Sequence, residues 1–263
     1  MSDVLDKILV DKRQHVLQQK SERSFSLLDM EARQALAPRP FRLALQAKIM
    51  AEDIALITEI KKASPSAGVI RTPFSPASLA QAYEDGGAAC LSILTDTPYF
   101  QGSNADLIEA RAASTLPVLR KDFMIDPWQI AESRSIGADC VLLIMAALSD
   151  NQALDLHDAA IGYDMDIIIE VHNRIELERA LMIPSGMIGI NNRNLKTLHI
   201  DIGTTEQLIK LIPPDRFVVS ESGFTTAKDL GRIQKIGIHS FLVGESLLRQ
   251  KNVMEATMKL RFE

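Results

Sequence analysis

The chain has 263 residues, 46% of them hydrophobic, and a formal net charge of -5. That is enough apolar material for one large core or two small ones, and with no basic excess neither nucleic acid nor an anionic membrane surface is expected as a partner. Two cysteines give no disulfide framework, the start MSDVLDKILV lacks the order of a secretory leader, and the longest apolar run, Cys140 to Leu148, is too short to span a bilayer, so a cytoplasmic location is expected.

The first 50 or so residues stand apart from the rest. DVLDKILVDKRQHVLQQ has helical apolar spacing and many charges, and Ser26 is placed to cap a second helix, LLDMEARQAL, which Pro38 and Pro40 end. This stretch either closes one end of the domain or folds over its active face. A different unit then recurs: a short β-branched run, a loop, and a segment with helical periodicity. The runs read as strands are Ile54–Ile60, Cys90–Thr95, Val118–Lys121, Cys140–Met145, Asp166–Val171, Met187–Asn191, Arg216–Ser220 and Ser240–Val243. Gly87, Gly137 and Gly237 precede three of them in the same way, as repeated βα units would require. Alternating β and α units with nearly continuous apolar strands predict a parallel sheet covered by helices, and eight of them predict a (β/α)8 barrel.

In such a barrel, polar residues at the C-terminal ends of strands face the active site. Glu59 and Lys61 end the first strand and, being two apart, share a face. Arg120, Lys121 and Asp122 end the third, and Glu170 closes the fifth. Asn191, Asn192 and Arg193 follow the sixth; Ser220, Glu221, Ser222 and Gly223 follow the seventh; Gly244 and Glu245 follow the eighth. One such charge is an ordinary rim salt bridge. Charges at strand end after strand end are expected to line a wet pocket, because bare ions are not tolerated in an apolar core. The glycine-bearing turns SESGF and VGESLL suggest a phosphate site, since barrel enzymes often hold phosphate after strands seven and eight. Cys90 and Cys140 begin their strands and read as packing, as does Trp128; His172 reaches towards the pocket but reads as structural. The five histidines show no metal-ligand spacing, and no metal site is expected.

The segments EIKKASPSAG, LRKDFMIDPWQI, ADCVLLIMAALSD, IGINNRNLKT, SESGF and FLVGESLL resemble, in this order, the indole-3-glycerol-phosphate synthase family of tryptophan biosynthesis. The likeness runs from about residue 5 to the end of the chain. It implies one (β/α)8 barrel domain over residues 1–263, with about 1–50 as an N-terminal helical extension. The reaction it implies cyclises 1-(2-carboxyphenylamino)-1-deoxyribulose 5-phosphate to indole-3-glycerol phosphate, with loss of carbon dioxide and water and no cofactor. Glu59, Lys61, Lys121, Glu170, Asn191 and Ser222 would be catalytic. Ser64, Phe123, Arg193, Glu221, Gly223, Gly244 and Glu245 would bind substrate, with Phe123 on the aromatic ring. Ala67 stands where the family suggests lysine, and Asn194 where aspartate is common. The extension would cover the C-terminal face and bring Arg39 and Arg42 near an anionic ligand. The implied partner is a phosphorylated small molecule, and a monomer in transient contact with other enzymes of the pathway is compatible with the likeness.

The chemistry is consistent with these residues. The ring carbon bearing the carboxylate must attack a ketone whose oxygen is protonated, and Lys121 suits that if burial or a nearby Lys61 lowers its pKa. The later loss of hydroxyl needs an acid and a base, with Glu59 and Glu170 as candidates in either role. The rival readings are a phosphosugar isomerase, which would place a cysteine at a strand end, a Schiff-base aldolase using Lys61 or Lys121, and a barrel that keeps only the phosphate cradle.

Overall fold

The computed structural model describes residues 4–195 and 197–262. Eight strands close into a barrel: β1 (Ala55–Ile60), β2 (Cys90–Leu94), β3 (Val118–Lys121), β4 (Cys140–Ile144), β5 (Asp166–Val171), β6 (Met187–Asn191), β7 (Val218–Glu221) and β8 (Ser240–Val243). Each is hydrogen-bonded in parallel to its neighbours in chain order, and β1 completes the ring by pairing Ile57 with Cys90 of β2 and Ala55 with Ser240 of β8. This is the (β/α)8 architecture expected from the sequence.

The outer helices start where a short polar side chain can take up a free backbone amide. Ser75, Ser103, Asp126, Ser149, Asn173 and Thr226 each cap one in this way. Gly87, Gly137 and Gly237 all have φ near +90° (83°, 93° and 90°), so the recurring glycine makes the same left-handed turn into β2, β4 and β8.

One strand is displaced from its expected position. The seventh starts at Val218, opposite Ile188, and runs through Glu221, whereas Arg216–Ser220 was expected. Arg216 instead donates to the Ile183 carbonyl outside the ladder. Glu221 is therefore a strand residue.

The N-terminal segment holds three helices rather than two: α1 (Val4–Glu22), α2 (Phe25–Gln34) and α3 (Phe41–Met50). The cap of α2 is Ser24, which accepts from the Leu27 amide, and not Ser26. The prolines at 38 and 40 end one helix and admit another, because proline at the head of a helix gives up only an amide that has no partner there.

The three helices go to different places. α3 plugs the N-terminal mouth: Phe41 and Leu45 are fully buried with Ala55, Cys90, Leu119 and Cys140. The Arg39 and Arg42 amides donate to Asp139 and Asp166, just before β4 and at the start of β5. Arg39 and Arg42 thus sit at the closed end, away from any ligand on the opposite face, which corrects the expectation for both. α2 packs on the helix Pro127–Ser135, where buried Trp128 donates its indole N–H to the Arg23 carbonyl. α1 reaches the opposite rim through Lys12, beyond the ends of β2 and β3. The extension is both a plug on one face and a brace on the other.

Candidate active site

Successive residues of a strand face opposite sides, and the strands of this barrel divide cleanly by parity. Ala55 and Ile57 of β1, Leu119 of β3, Ile168 of β5, Met187 of β6 and Val219 of β7 form the core inside the barrel. Leu56, Val118, Ile167, Ile188 and Phe241 belong to the layer between barrel and helices. Continuing the interior parity upward puts Glu59, Lys61, Lys121, Glu170, Asn191 and Glu221 on the inner face at the C-terminal mouth, where they line a cavity of about 640 Å³.

The same rule removes three expected pocket residues. Arg120 has the outer parity: it pairs with Glu132 at 2.7 Å and donates to Thr95 and Ser133. Asn192 and Ser220 are buried in a network with Thr205. Within a strand, parity aims a side chain and strand-end position alone does not; just past the strand ends, Asp122 and Ser222 line the cavity despite their outer parity.

Two ion-paired groups occupy the mouth. Lys61 Nζ lies 2.5 Å from Glu59 Oε1. Lys121 Nζ is gripped from two sides, by Glu170 Oε2 at 2.7 Å and Glu221 Oε2 at 2.9 Å. Burial alone would depress the Lys121 pKa, but Glu170, Glu221 and Glu59 more than reverse this and hold it above its ordinary value. This corrects the expectation of a lowered pKa: the nearest charges are carboxylates, not a second ammonium.

The two carboxylates around Lys121 are pushed apart. Burial raises Glu221, reinforced by the negative Glu170 and Glu59, to about 7 despite the lysine. Glu170 also suffers burial, yet Lys121 and His172 outweigh it and hold the group well below the usual carboxylate range. Facing titratable groups with opposed shifts are a mark of acid–base sites.

The rest of the cavity divides into an apolar wall and a cationic mouth. Phe123 and Phe100 stand with ring centroids 6.3 Å apart, and Leu142, Ile144 and Leu195 continue the wall. Phe100 was not singled out from sequence; it ends the short helix Thr97–Phe100 that follows β2. Arg193, Ser222, Gly223, Gly244, Glu245, Ser246 and Arg249, from the loops after β6, β7 and β8, also line the cavity. Glu245 is tied to Arg249 at 2.7 Å. Ser222 and Gly223 turn the chain with positive φ of 69° and 91°. Ser64 is not among the lining residues: it lies in the small hairpin Ala63–Ser64/Gly68–Val69, where its hydroxyl accepts from the Ala67 amide, while Ser66 and Ala67 face the cavity.

Two glycines, one in the middle of β6 and one just past β8, make room for carboxylates. A Cβ on Gly244 would stand 2.6 Å from Glu59 Oε1, and one on Gly189 of β6 would stand 2.5 Å from Glu221 Oε1. Gly189 has no turn to make, so sequence reasoning passed over it.

The family model described as indole-3-glycerol phosphate synthase matches residues 5–260. The chain belongs to the indole-3-glycerol-phosphate synthase family. It is 55% identical over 260 residues to the indole-3-glycerol phosphate synthase of Azospirillum brasilense, covering 99% of each chain. It is 50% identical over 261 residues to that of Rhodospirillum rubrum, again with 99% of each chain covered. Among solved structures it is similar in fold to a thiamine phosphate pyrophosphorylase from Pyrococcus furiosus, with a TM-score of 0.58, 13% identity, and 79% of this chain and 93% of that one covered. That likeness shows the fold alone. No described helix is long and apolar enough to cross a membrane.

Proposed function

We propose that this cavity performs the family's reaction, closing 1-(2-carboxyphenylamino)-1-deoxyribulose 5-phosphate to indole-3-glycerol phosphate, with Lys121 as the acid that drives ring closure. The observation that carries this is the grip of Glu170 and Glu221 on Lys121 at 2.7 and 2.9 Å, beside an aromatic wall. The substrate's ring lies on Phe123 and Phe100. Its phosphate sits at the mouth of β7 and β8, where Gly223 and Gly244 offer backbone and Arg193 and Arg249 offer positive charge.

The carboxylate-bearing ring carbon attacks the ketone, whose oxygen takes a proton from Lys121. Carbon dioxide leaves, and the electrons of its bond return to the iminium formed in the substrate. Losing the new hydroxyl then takes one proton to the oxygen and one from the adjacent carbon. Glu170, ionised at neutral pH, suits the base, and the Glu59–Lys61 pair supplies the acid. Glu221, near 7, is placed to return a proton to Lys121 for the next turnover. Asn191 and Ser222 hold the substrate hydroxyls and carboxylate between these groups.

Every group in this scheme comes from one chain, so the reading needs no second subunit. It takes residues 1–263 as a single barrel domain working in the cytoplasm, with about the first 50 as extension. The test is to incubate the protein with the carboxyphenylamino deoxyribulose phosphate and follow indole fluorescence together with carbon dioxide release. Equal yields of the two support the reading; silence of both across the neutral range rejects it.

A further inference from the structure

Beyond Glu170, the interior parity of β5 continues to His172, a side chain only 8% exposed that the reaction scheme does not use. Its two ring nitrogens face two different carboxylates. Nε2 is 3.2 Å from Glu170 Oε1, an ion-pair contact off the hydrogen-bond axis, and Nδ1 is 2.9 Å from Glu176 Oε2. Glu176 is itself held in place: its Oε2 takes the His172 backbone amide at 2.8 Å and its Oε1 takes the Asn173 side-chain amide at 2.6 Å.

A neutral imidazole has one donor nitrogen and one lone pair. Whichever tautomer it chose, the lone pair would face a carboxylate oxygen, so both contacts are attractive only for the doubly protonated ring. We propose that His172 is a positioning residue, an imidazolium that keeps Glu170 ionised and aimed at Lys121 while the lysine gives up its proton. This inference rests on the catalytic reading of Glu170.

The charges around the group make the need plain. Glu170 on β5 and Glu176 on the helix Arg174–Ala180 face His172 directly; behind Glu170 stand Lys121 on β3 and Glu221 on β7, with Glu59 of β1 acting on both of these. Glu59, Glu170 and Glu221 are three carboxyls facing the two ammoniums of Lys61 and Lys121. When Lys121 donates its proton, Glu170 loses the cation on Oε2. A cation remaining on Oε1 stops Glu170 from taking up that proton and becoming useless as a base. Burial works against the charged ring, but Glu170 and Glu176 together raise His172 to about 9, so it stays charged across the neutral range.

The test combines a direct and a kinetic readout. In the ¹⁵N-imidazole NMR spectrum of the whole protein, the His172 resonance, assigned by its loss in His172→Gln, should be that of a charged ring up to about pH 8. His172→Gln keeps an N–H near Glu170 but removes the charge. It should move the acid limb of kcat up by roughly one pH unit with little change in KM. Glu176→Gln should make the ring titrate lower in the otherwise native protein and change nothing further in the His172→Gln background. A neutral His172 near pH 7, or an acid limb unmoved in a His172→Gln protein that melts like the native one, overturns the proposal. Glu170→Gln separates the two levels. If that variant turns over normally, the catalytic reading of Glu170 falls; if it is inactive while the His172 results fail, only the inference falls.

Discussion

Lys12 Nζ of α1 lies 2.7 Å from both Asp96 Oδ1 and Asp122 Oδ1, and the same Asp122 oxygen accepts the Phe123 amide at 2.7 Å. Asp122 sits between Lys121, the proposed acid, and Phe123, proposed to carry the substrate ring, so one buried lysine ties the extension to the segment carrying both. Lys12→Met leaves buried Asp96 without its cation and Asp122 with Arg120 alone, and breaking such a buried pair typically costs about 3–5 kcal/mol. The variant should melt at a lower temperature, and its KM should rise more than its kcat falls. A native melting curve with native KM would dissociate α1 from the site.

The same pair sets a pH dependence. Burial opposes the Asp122 charge, but Lys12 and Arg120 overcome it and take the group down to about 2. A depressed carboxylate contributes stability that is complete above its unfolded pKa of about 4 and is lost as the pH falls through the folded value, an effect on the order of 2 kcal/mol. Urea melts of the native protein between about pH 5 and pH 2 should show this loss, and it should be smaller in Lys12→Met.

Truncations separate the two jobs of the extension. Deleting residues 1–36 removes α1 and α2 but leaves Phe41 and Leu45 in the closed end of the barrel. That protein should retain a cooperative, weakened transition and bind substrate poorly. Deleting 1–45 also removes two fully buried side chains, each worth about 2–5 kcal/mol, and should not fold. With the first strand read from Ile54, the sequence alone suggests that the longer deletion leaves most of the fold, because the burial of Phe41 and Leu45 in the closed end is not visible in it. A cooperative melt from the longer deletion would show that the plug is dispensable.

Glu221→Gln should trade activity for stability. Burial beside Glu170 raises Glu221 to about 7, above its unfolded value, so the folded state retains a proton that the unfolded state has already lost. The resulting penalty grows as the pH rises from about 4 to about 7 and is constant above that. The amide variant should therefore be stabilised relative to native protein, increasingly over that window, by no more than about 3 kcal/mol. Its kcat should fall. A stability gain that does not vary with pH would contradict the raised carboxyl.

Gly244→Ala and Gly189→Ala should act first on carboxylates, because alanine keeps the backbone N–H that Gly244 offers to phosphate. The added Cβ would press on Glu59 in one and on Glu221 in the other, at 2.6 and 2.5 Å. Both should lower kcat with little change in the affinity for inorganic phosphate. Gly223→Ala strains a φ of 91° next to Ile200 and should weaken phosphate binding instead. Equal losses of phosphate affinity in all three would return Gly244 to a purely phosphate role.

Much of this architecture is legible in the chain because the barrel repeats one unit, and parity is visible once a strand is placed. Glu59 and Lys61 could be put on one face from their spacing alone. What was not legible depends on contacts across the ring. Glu221 reads as a loop residue until the ladder from Ile188 moves the start of β7 by two positions and its end by one. The raised Lys121 pKa depends on side chains from β5 and β7 that lie 49 and 100 residues away in the chain. Arg39 and Arg42 are expected near an anion, and their backbone amides do find carboxylates, but those belong to Asp139 and Asp166 at the closed end.

Turnover of 1-(2-carboxyphenylamino)-1-deoxyribulose 5-phosphate by native protein and by Lys121→Ala, followed side by side through indole fluorescence, tests the central claim most directly. The account predicts steady indole formation by the native chain and a kcat lower by roughly 10²–10⁴-fold in the variant, with substrate binding largely kept. Native protein that forms no indole, or a Lys121→Ala variant with undiminished kcat, would contradict it.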